Sequence, residues 1–178
     1  MMRKKITFAA LFAVAILFVT SEVNAQFKGE AMAGYGFEDG YNIGIGARAG
    51  KDGLTESLKQ IYIGGVFAYH LGKSEGEGDF RVTARVWYLG GDIGYNIPFE
   101  GQPFSIRASS YLGIATLSAT VNIFGFSETT SNSEFMIAPG ATFYFRIGSD
   151  LTFGADARYF IVKDANALVV NATIGKSF

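Results

Sequence analysis

Leu151-Thr-Phe-Gly-Ala-Asp-Ala-Arg-Tyr-Phe-Ile161 sorts its residues by parity. Leu151, Phe153, Ala155, Ala157, Tyr159 and Ile161 fall on one side of the alternation. Thr152, Gly154, Asp156 and Arg158 fall on the other. A period of two belongs to a β-strand, whose successive side chains point to opposite faces. One face of this strand is aliphatic and aromatic, and the other holds a glycine and both charges. A water-soluble barrel would turn its bulky apolar face inward and its charges out. Glycine and charge on a confined face, with aromatics on the opposite one, describe a strand between lipid and a narrow polar lumen.

The same sorting spreads outward along the chain. Breaks at clusters of Gly, Asp, Asn, Ser and Pro give eight segments, near 27–37, 41–50, 61–71, 81–97, 104–121, 134–147, 151–163 and 168–178. Their usual length suits a tilted membrane-spanning strand of about 9–11 residues. In the last segment Leu168, Val170, Ala172, Ile174 and Phe178 oppose Val169, Asn171, Thr173, Gly175 and Ser177. In the sixth, Phe135, Ile137, Ala141, Phe143, Phe145 and Ile147 oppose Gly140, Thr142, Tyr144 and Arg146. The second sets Tyr41, Ile43 and Ile45 against Asn42, Gly44, Gly46 and Arg48. The third sets Ile61, Ile63, Phe67 and Tyr69 against Tyr62, Gly64 and His70.

Glycine tests the assignment, because the faces were drawn from apolar residues alone. Gly34, Gly36, Gly44, Gly46, Gly50, Gly64, Gly90, Gly94, Gly113, Gly140, Gly154 and Gly175 take the polar face, and Gly29, Gly65 and Gly91 the apolar one. A barrel of eight strands has an interior barely wide enough for side chains, so many lumen positions must carry none. Gly makes up 23 of 178 residues, nearly twice its usual share of about 7%. It is neither periodic by three nor rich in accompanying Pro, which excludes collagen-like and low-complexity chains.

The first 25 residues read differently. Arg3, Lys4 and Lys5 precede a run from Ile6 to Val19 that is apolar except for Thr7 and too short to span a bilayer, and Ala25 after Val23-Asn24 suits a signal-peptidase site. Residues 1–25 are therefore expected to be a cleaved signal peptide and 26–178 a single barrel domain. Of 15 Lys+Arg and 16 Asp+Glu, the leader takes Arg3, Lys4, Lys5 and Glu22, leaving 12 basic and 15 acidic residues. That balance argues against a nucleic-acid partner. The chain has no Cys, so disulfides and thiolate metal sites are excluded. No cofactor, metal or catalytic residue is expected.

The stretches Tyr41-Asn-Ile-Gly-Ile-Gly-Ala-Arg-Ala-Gly50, Trp87-Tyr-Leu-Gly-Gly-Asp-Ile-Gly-Tyr95 and Gly154-Ala-Asp-Ala-Arg-Tyr159, with the terminal Phe178, resemble the strands of small eight-stranded outer-membrane barrels of the OmpA and OmpX type. The resemblance covers the whole mature chain and implies an all-β, antiparallel, up-and-down transmembrane β-barrel in the outer membrane of a Gram-negative bacterium. It further implies insertion by the outer-membrane assembly machinery, which reads outward apolar residues in the last strand and a terminal aromatic. Phe178, Ile174, Ala172 and Val170 match that signal, and Lys176 departs from it. By the same analogy both termini face the periplasm, with 51–60, 98–103 and 148–150 on that side and 38–40, 72–80, 122–133 and 164–167 outside. The resemblance supports architecture and specifies no activity.

The candidate functional residues are the inward charges. Lys28, Arg48, Arg107, Arg146 and Arg158 face Glu30, Asp92, Glu134 and Asp156, joined by His70 near the outer end of the third strand. A buried charge costs several kcal/mol unless paired, so a near-balanced set in a narrow lumen is expected to interlock. Asp156 and Arg158 are expected to find partners on neighbouring strands, such as Arg146 and Arg48. His70 with Ser109 or Ser110 is no catalytic triad without geometry. Arg81 and Arg85 on the outward parity suit lipopolysaccharide phosphates. Alternatively a bulge near Trp87 turns them inward, since Val82, Ala84 and Val86 share the other parity. The acidic stretch 72–79 lacks calcium-loop spacing, and Phe124-Gly-Phe-Ser-Glu-Thr-Thr-Ser-Asn-Ser133 is the best candidate for contact with an extracellular ligand.

Three functional classes follow. The leading one is a structural or surface-interaction protein with a packed polar interior and a lipid surround that includes lipopolysaccharide. The second is a narrow, porin-like pore or transporter for small solutes, and the third a lipid-modifying enzyme. Oligomeric state is left open by the residues.

Overall fold

A computed structural model describes residues 27–178 apart from 39, 54, 78 and 79. The expected signal peptide lies outside the described residues. The strands are β1 (Phe27–Gly36), β2 (Ile43–Asp52), β3 (Ile61–His70), β4 (Ser74–Glu75), β5 (Phe80–Pro98), β6 (Phe104–Ile123), β7 (Phe126–Ile147), β8 (Leu151–Val162) and β9 (Ala167–Ser177). All except the two-residue β4 join one antiparallel ring. β1 pairs with both β2 and β9, and β3 pairs with β5 across β4. The barrel is therefore closed and eight-stranded, and closure pairs the strands that an open sheet would leave as its edges.

Both ends of the described chain lie at one rim, where the Phe178 amide donates to the Phe27 carbonyl at 2.8 Å. This terminal rim also carries the connections 53–60, 99–103 and 148–150. The distal rim carries 37–42, 71–79, 124–125 and 163–166. The outside is apolar: Ile43, Phe67, Trp87, Leu112, Phe143, Phe153, Tyr159 and Ile174 are all exposed. Such a belt is stable only against lipid.

Glycine follows the expected division. A Cβ at any of the twelve lumen-parity glycines named above would fall within 2.8 Å of another heavy atom, whereas Gly29, Gly65 and Gly91 have 3.7–3.9 Å of room. At Gly44 the obstacle is the His70 ring, 2.5 Å away, and at Gly94 it is Ser109 Cβ at 2.6 Å. The inward glycines are spaces into which lumen side chains and neighbouring strands fit.

Two expectations are corrected. The alternation places Tyr41 outward, but it is fully buried, its hydroxyl 3.4 Å from the Ala165 carbonyl. Asn42 sits in the left-handed region at φ 24°, which breaks the alternation just before β2 and turns Tyr41 over the lumen. The sixth segment starts at 126 rather than 134, so most of the expected connection 122–133 is strand. Only Phe124 and Gly125, with φ of 48° and 82°, form the turn, as a two-residue hairpin with both central residues at positive φ requires.

Candidate functional site

The lumen divides at mid-height. Its terminal half is a charged lattice centred on Arg48, which is buried on β2. Arg48 Nε donates to Glu30 Oε2 at 2.7 Å, Nη1 to Asp156 Oδ1 at 3.2 Å and to the Tyr111 hydroxyl at 3.1 Å. Nη2 donates to Thr142 Oγ1 at 3.1 Å and to the Tyr144 hydroxyl at 2.6 Å. One guanidinium thus holds side chains from β1, β6, β7 and β8, which its fork of five N–H donors makes feasible.

Two further arginines flank it. Arg107 reaches Asn96 at 2.8 Å, Asp52 at 3.2 Å and Glu30 at 3.4 Å while lying 3.6 Å over the Tyr62 ring. Arg158 donates through Nε to both Asp156 oxygens at 3.1 Å and through Nη2 to Ser109 Oγ at 2.7 Å, stacked 3.7 Å over Tyr111. Lys28 stands 3.4 Å from Glu30 and 3.6 Å over the Tyr144 ring. Asp92, buried, has Arg48 as its nearest cation at 3.9 Å.

The geometry departs from expectation in three places. Asp156 and Arg158 bond each other as well as their neighbours, because residues two apart on one strand share a face. Arg146 is exposed at the terminal rim, where it stands opposite Thr152 on β8 while Asp156 stands opposite Thr142. Glu134 is half-buried toward the distal rim and accepts from Asn132 at 2.8 Å. Asp52 and Asn96 join the lattice, and the sequence does not single out either. Asp52 lies two residues beyond the expected end of its strand, and Asn96 carries no charge to betray it.

The distal half of the lumen is apolar. Met32, Val66, Val86, Tyr88, Met136, Phe160, Val162 and Val169 are buried together there. Phe160 lies 4.8 Å from the Tyr88 ring, 5.6 Å from Tyr41 and 6.3 Å from Tyr111. His70 closes this plug, with Nδ1 2.5 Å from the Tyr41 carbonyl and 3.3 Å from that of Asn42, and its ring 5.9 Å from Tyr88. The serines stand elsewhere: Ser109 Oγ is taken by Arg158 and Ser110 Oγ donates to the Tyr111 carbonyl. A cavity of about 600 Å³ opens at the terminal rim between Lys28, Asp52, Arg107, Tyr144 and the overhanging 98–103 connection. Its floor is the charged lattice, and the plug lies beyond.

The distal rim itself is uneven. β3 and β5 stop pairing at His70↔Val86, and β7 and β8 at Met136↔Val162. β5 with β6 continues to Phe80↔Ile123, and β6 with β7 to Ile123↔Phe126. A sheet of three strands therefore projects beyond the barrel; at about 3.3 Å per residue the β7 overhang spans roughly 30 Å. Its outer face is a ladder of hydroxyl pairs: Thr116 with Ser133 at 2.8 Å, Ser118 with Ser131 at 2.9 Å, Thr120 with Thr129 at 3.0 Å. Arg81 and Arg85 stand outward and exposed on the same face, in an unbroken register with β6, so no bulge turns them in. The connection 71–79 carries an exposed Lys73–Glu75 pair at 2.6 Å, and the lysine's hydrogen bond holds the Glu75 carboxyl below its ordinary range. No cluster of three metal-ligating side chains occurs among the described residues.

A closed eight-stranded antiparallel barrel, apolar outside and filled within, defines a membrane-spanning β-barrel protein. The chain belongs to the outer membrane protein beta-barrel domain family, whose model matches residues 8–178, and it resides in the outer membrane. No curated protein matches it. Among solved structures, a major outer membrane protein from Thermus thermophilus superposes with a TM-score of 0.69 at 13% identity, covering 86% of this chain and 99% of that one. Ail, the attachment invasion locus protein of Yersinia pestis, gives 0.60 at 16% identity over 86% and 97%. The N-terminal β-barrel domain of Pseudomonas aeruginosa OprF gives 0.54 at 14% identity over 86% and 97%. At these identities the likeness concerns the fold.

Proposed function

We propose that this is a surface-interaction protein of the outer membrane that works through its projecting sheet rather than its lumen. The observation that carries the reading is the extension of β5, β6 and β7 past a barrel whose distal lumen is packed with Tyr88, Phe160 and Met136. A pore has no use for an aromatic plug, and a merely structural barrel has none for a long hydroxylated hairpin. The terminal rim faces the periplasm in this reading and the hairpin faces outward. Phe178, exposed and 6.4 Å from the Phe27 ring, serves as the signal to the assembly machinery. Arg81 and Arg85 lie just beyond Trp87, a residue type that marks the membrane interface, and they pair with lipopolysaccharide phosphates. The structure of Ail in complex with the heparin analogue sucrose octasulfate supports an interaction role for barrels of this shape.

Shortening the hairpin tests the reading. Deleting 118–123 and 126–131 rejoins Leu117 to Asn132, an opposed pair in the present register, through the Phe124-Gly125 turn. The variant is expected to fold, as judged by the faster gel mobility of an unheated barrel. Cells displaying it should fall to background in adhesion to protein-coated and heparin-coated surfaces. Undiminished adhesion would count against the proposal.

A further inference from the structure

The lumen is open at one rim only. Its distal half is closed by the plug, so the cavity of about 600 Å³ at the terminal rim is a blind pocket and not a stretch of channel. That volume lies within the range of small-molecule sites, roughly 300–1,000 Å³. The character of the pocket is set by charge: Lys28, Lys59, Arg107 and Arg146 line it against Asp52 and Glu100. These groups are not equally free. Asp52 accepts from Arg107 at 3.2 Å and from Asn96 at 2.7 Å, and Arg107 directs its remaining edges to Glu30 and Asn96. Those two charges answer each other within the floor. Lys28 differs, because its buried ammonium meets Glu30 at 3.4 Å and the face of the Tyr144 ring at 3.6 Å. An ammonium carries three donors, and a ring face attracts the charge without accepting a full hydrogen bond, so Lys28 keeps donor capacity for a ligand.

Lys59 and Arg146 are exposed and stand nearer the mouth, the first just before β3 and the second near the end of β7. Neither is held in an ion pair among the described residues. Around the ring β7 is followed by β6, β5 and β3, so the two cations rise from different walls. Glu100, exposed on the overhanging connection, is the one carboxylate of the lining outside the floor lattice. Cations gathered in a cleft with low-dielectric walls focus their field and concentrate anions there. We propose that the terminal-rim pocket binds a small organic anion with two separated acidic groups, phosphate or carboxylate. One group meets the Lys28 ammonium at the floor, and the other meets Lys59 and Arg146 at the mouth, where the guanidinium offers paired donors. A lone inorganic ion would leave most of such a volume unfilled. In the orientation proposed above the ligand enters from the periplasm. The site lies at the opposite end of the barrel from the projecting sheet and does not depend on its role.

Isothermal titration of the full barrel in phosphatidylcholine nanodiscs, which bring no anionic lipid to compete, tests the site. Fructose 1,6-bisphosphate and adipate serve as probes with two acidic groups, glucose 6-phosphate and acetate as their counterparts with one. At least one of the two-group probes is expected to bind about tenfold or more tightly than its counterpart, the scale of an added charge-assisted hydrogen bond, and the tighter of the two names the acidic group. Arg146→Ala and Lys59→Ala lie outside the floor lattice and should leave the faster gel mobility of the unheated barrel unchanged. Each should weaken the two-group probe about tenfold, and Arg146→Lys should recover only part of that loss because it restores the charge without the fork. Arg81→Ala with Arg85→Ala, at the far rim, should leave the titration as in the parent. Equal affinity for one-group and two-group probes, or binding that survives both terminal-rim substitutions, overturns the proposal. So does binding lost with Arg81 and Arg85, which would place the anion on the outer sheet.

Discussion

Replacing Arg48 with methionine is expected to destabilise the barrel by about 3–5 kcal/mol, the usual consequence of removing one partner from a buried ionic cluster. The lumen balances Lys28, Arg48, Arg107 and Arg158 against Glu30, Asp52, Asp92 and Asp156. Glu30 would keep Lys28 and Arg107, and Asp156 would keep Arg158, but Asp92 would lose its nearest cation and the cluster would carry an uncompensated negative charge. Adding Glu30→Gln restores the balance, so the double variant should recover a large part of the loss. Such non-additivity is what contacting residues show. Trp87 is the only tryptophan and stands on the outer face, so its fluorescence reports urea unfolding from lipid vesicles. A double variant as unstable as the sum of its parts would show that packing around the guanidinium, and not charge balance, carries the effect.

What was legible in the sequence was whatever obeyed parity with a strong contrast of residue type. β8 and β9 show it plainly, because Phe153, Tyr159 and Ile174 must meet lipid while Asp156 and Arg158 must not. The inward glycines were equally legible, since a narrow cylinder leaves no room for Cβ at Gly44 or Gly94. Three features escaped for physical reasons. The projecting part of β7 has polar residues on both faces because water surrounds both, so Ser127 to Ser133 reads as a loop; Phe124-Gly125 was the surviving sign of a tight hairpin. Tyr41 sits one residue before a left-handed Asn42, and one such residue is enough to reverse the parity of its neighbour. The plug escaped because parity separates inside from outside but does not say what the inside is made of. Val86, Tyr88, Met136 and Phe160 lay on the lumen side all along, and a uniformly polar lumen was too simple an expectation.

The plug yields the other large prediction. Phe160 is fully buried and touches Tyr41, Tyr88 and Tyr111, so Phe160→Ala should cost about 3–5 kcal/mol as a buried aromatic truncation. The resulting void would be bordered by the rings of Tyr41, Tyr88 and Tyr111. Widening it with Tyr88→Ala removes the ring nearest to Phe160 and enlarges the void on the distal side of the lattice. The parent protein is expected to be silent in planar bilayers over repeated insertions. The Phe160→Ala/Tyr88→Ala variant should give stepwise currents, while a control such as Phe153→Ala, truncated on the lipid face, should stay silent. Each result bears on function: currents only in the plug variant place the barrier among these rings and leave the projecting sheet as the working surface. Currents in the parent would mean that the aromatic layer parts readily, and the interaction reading would have to yield to a pore.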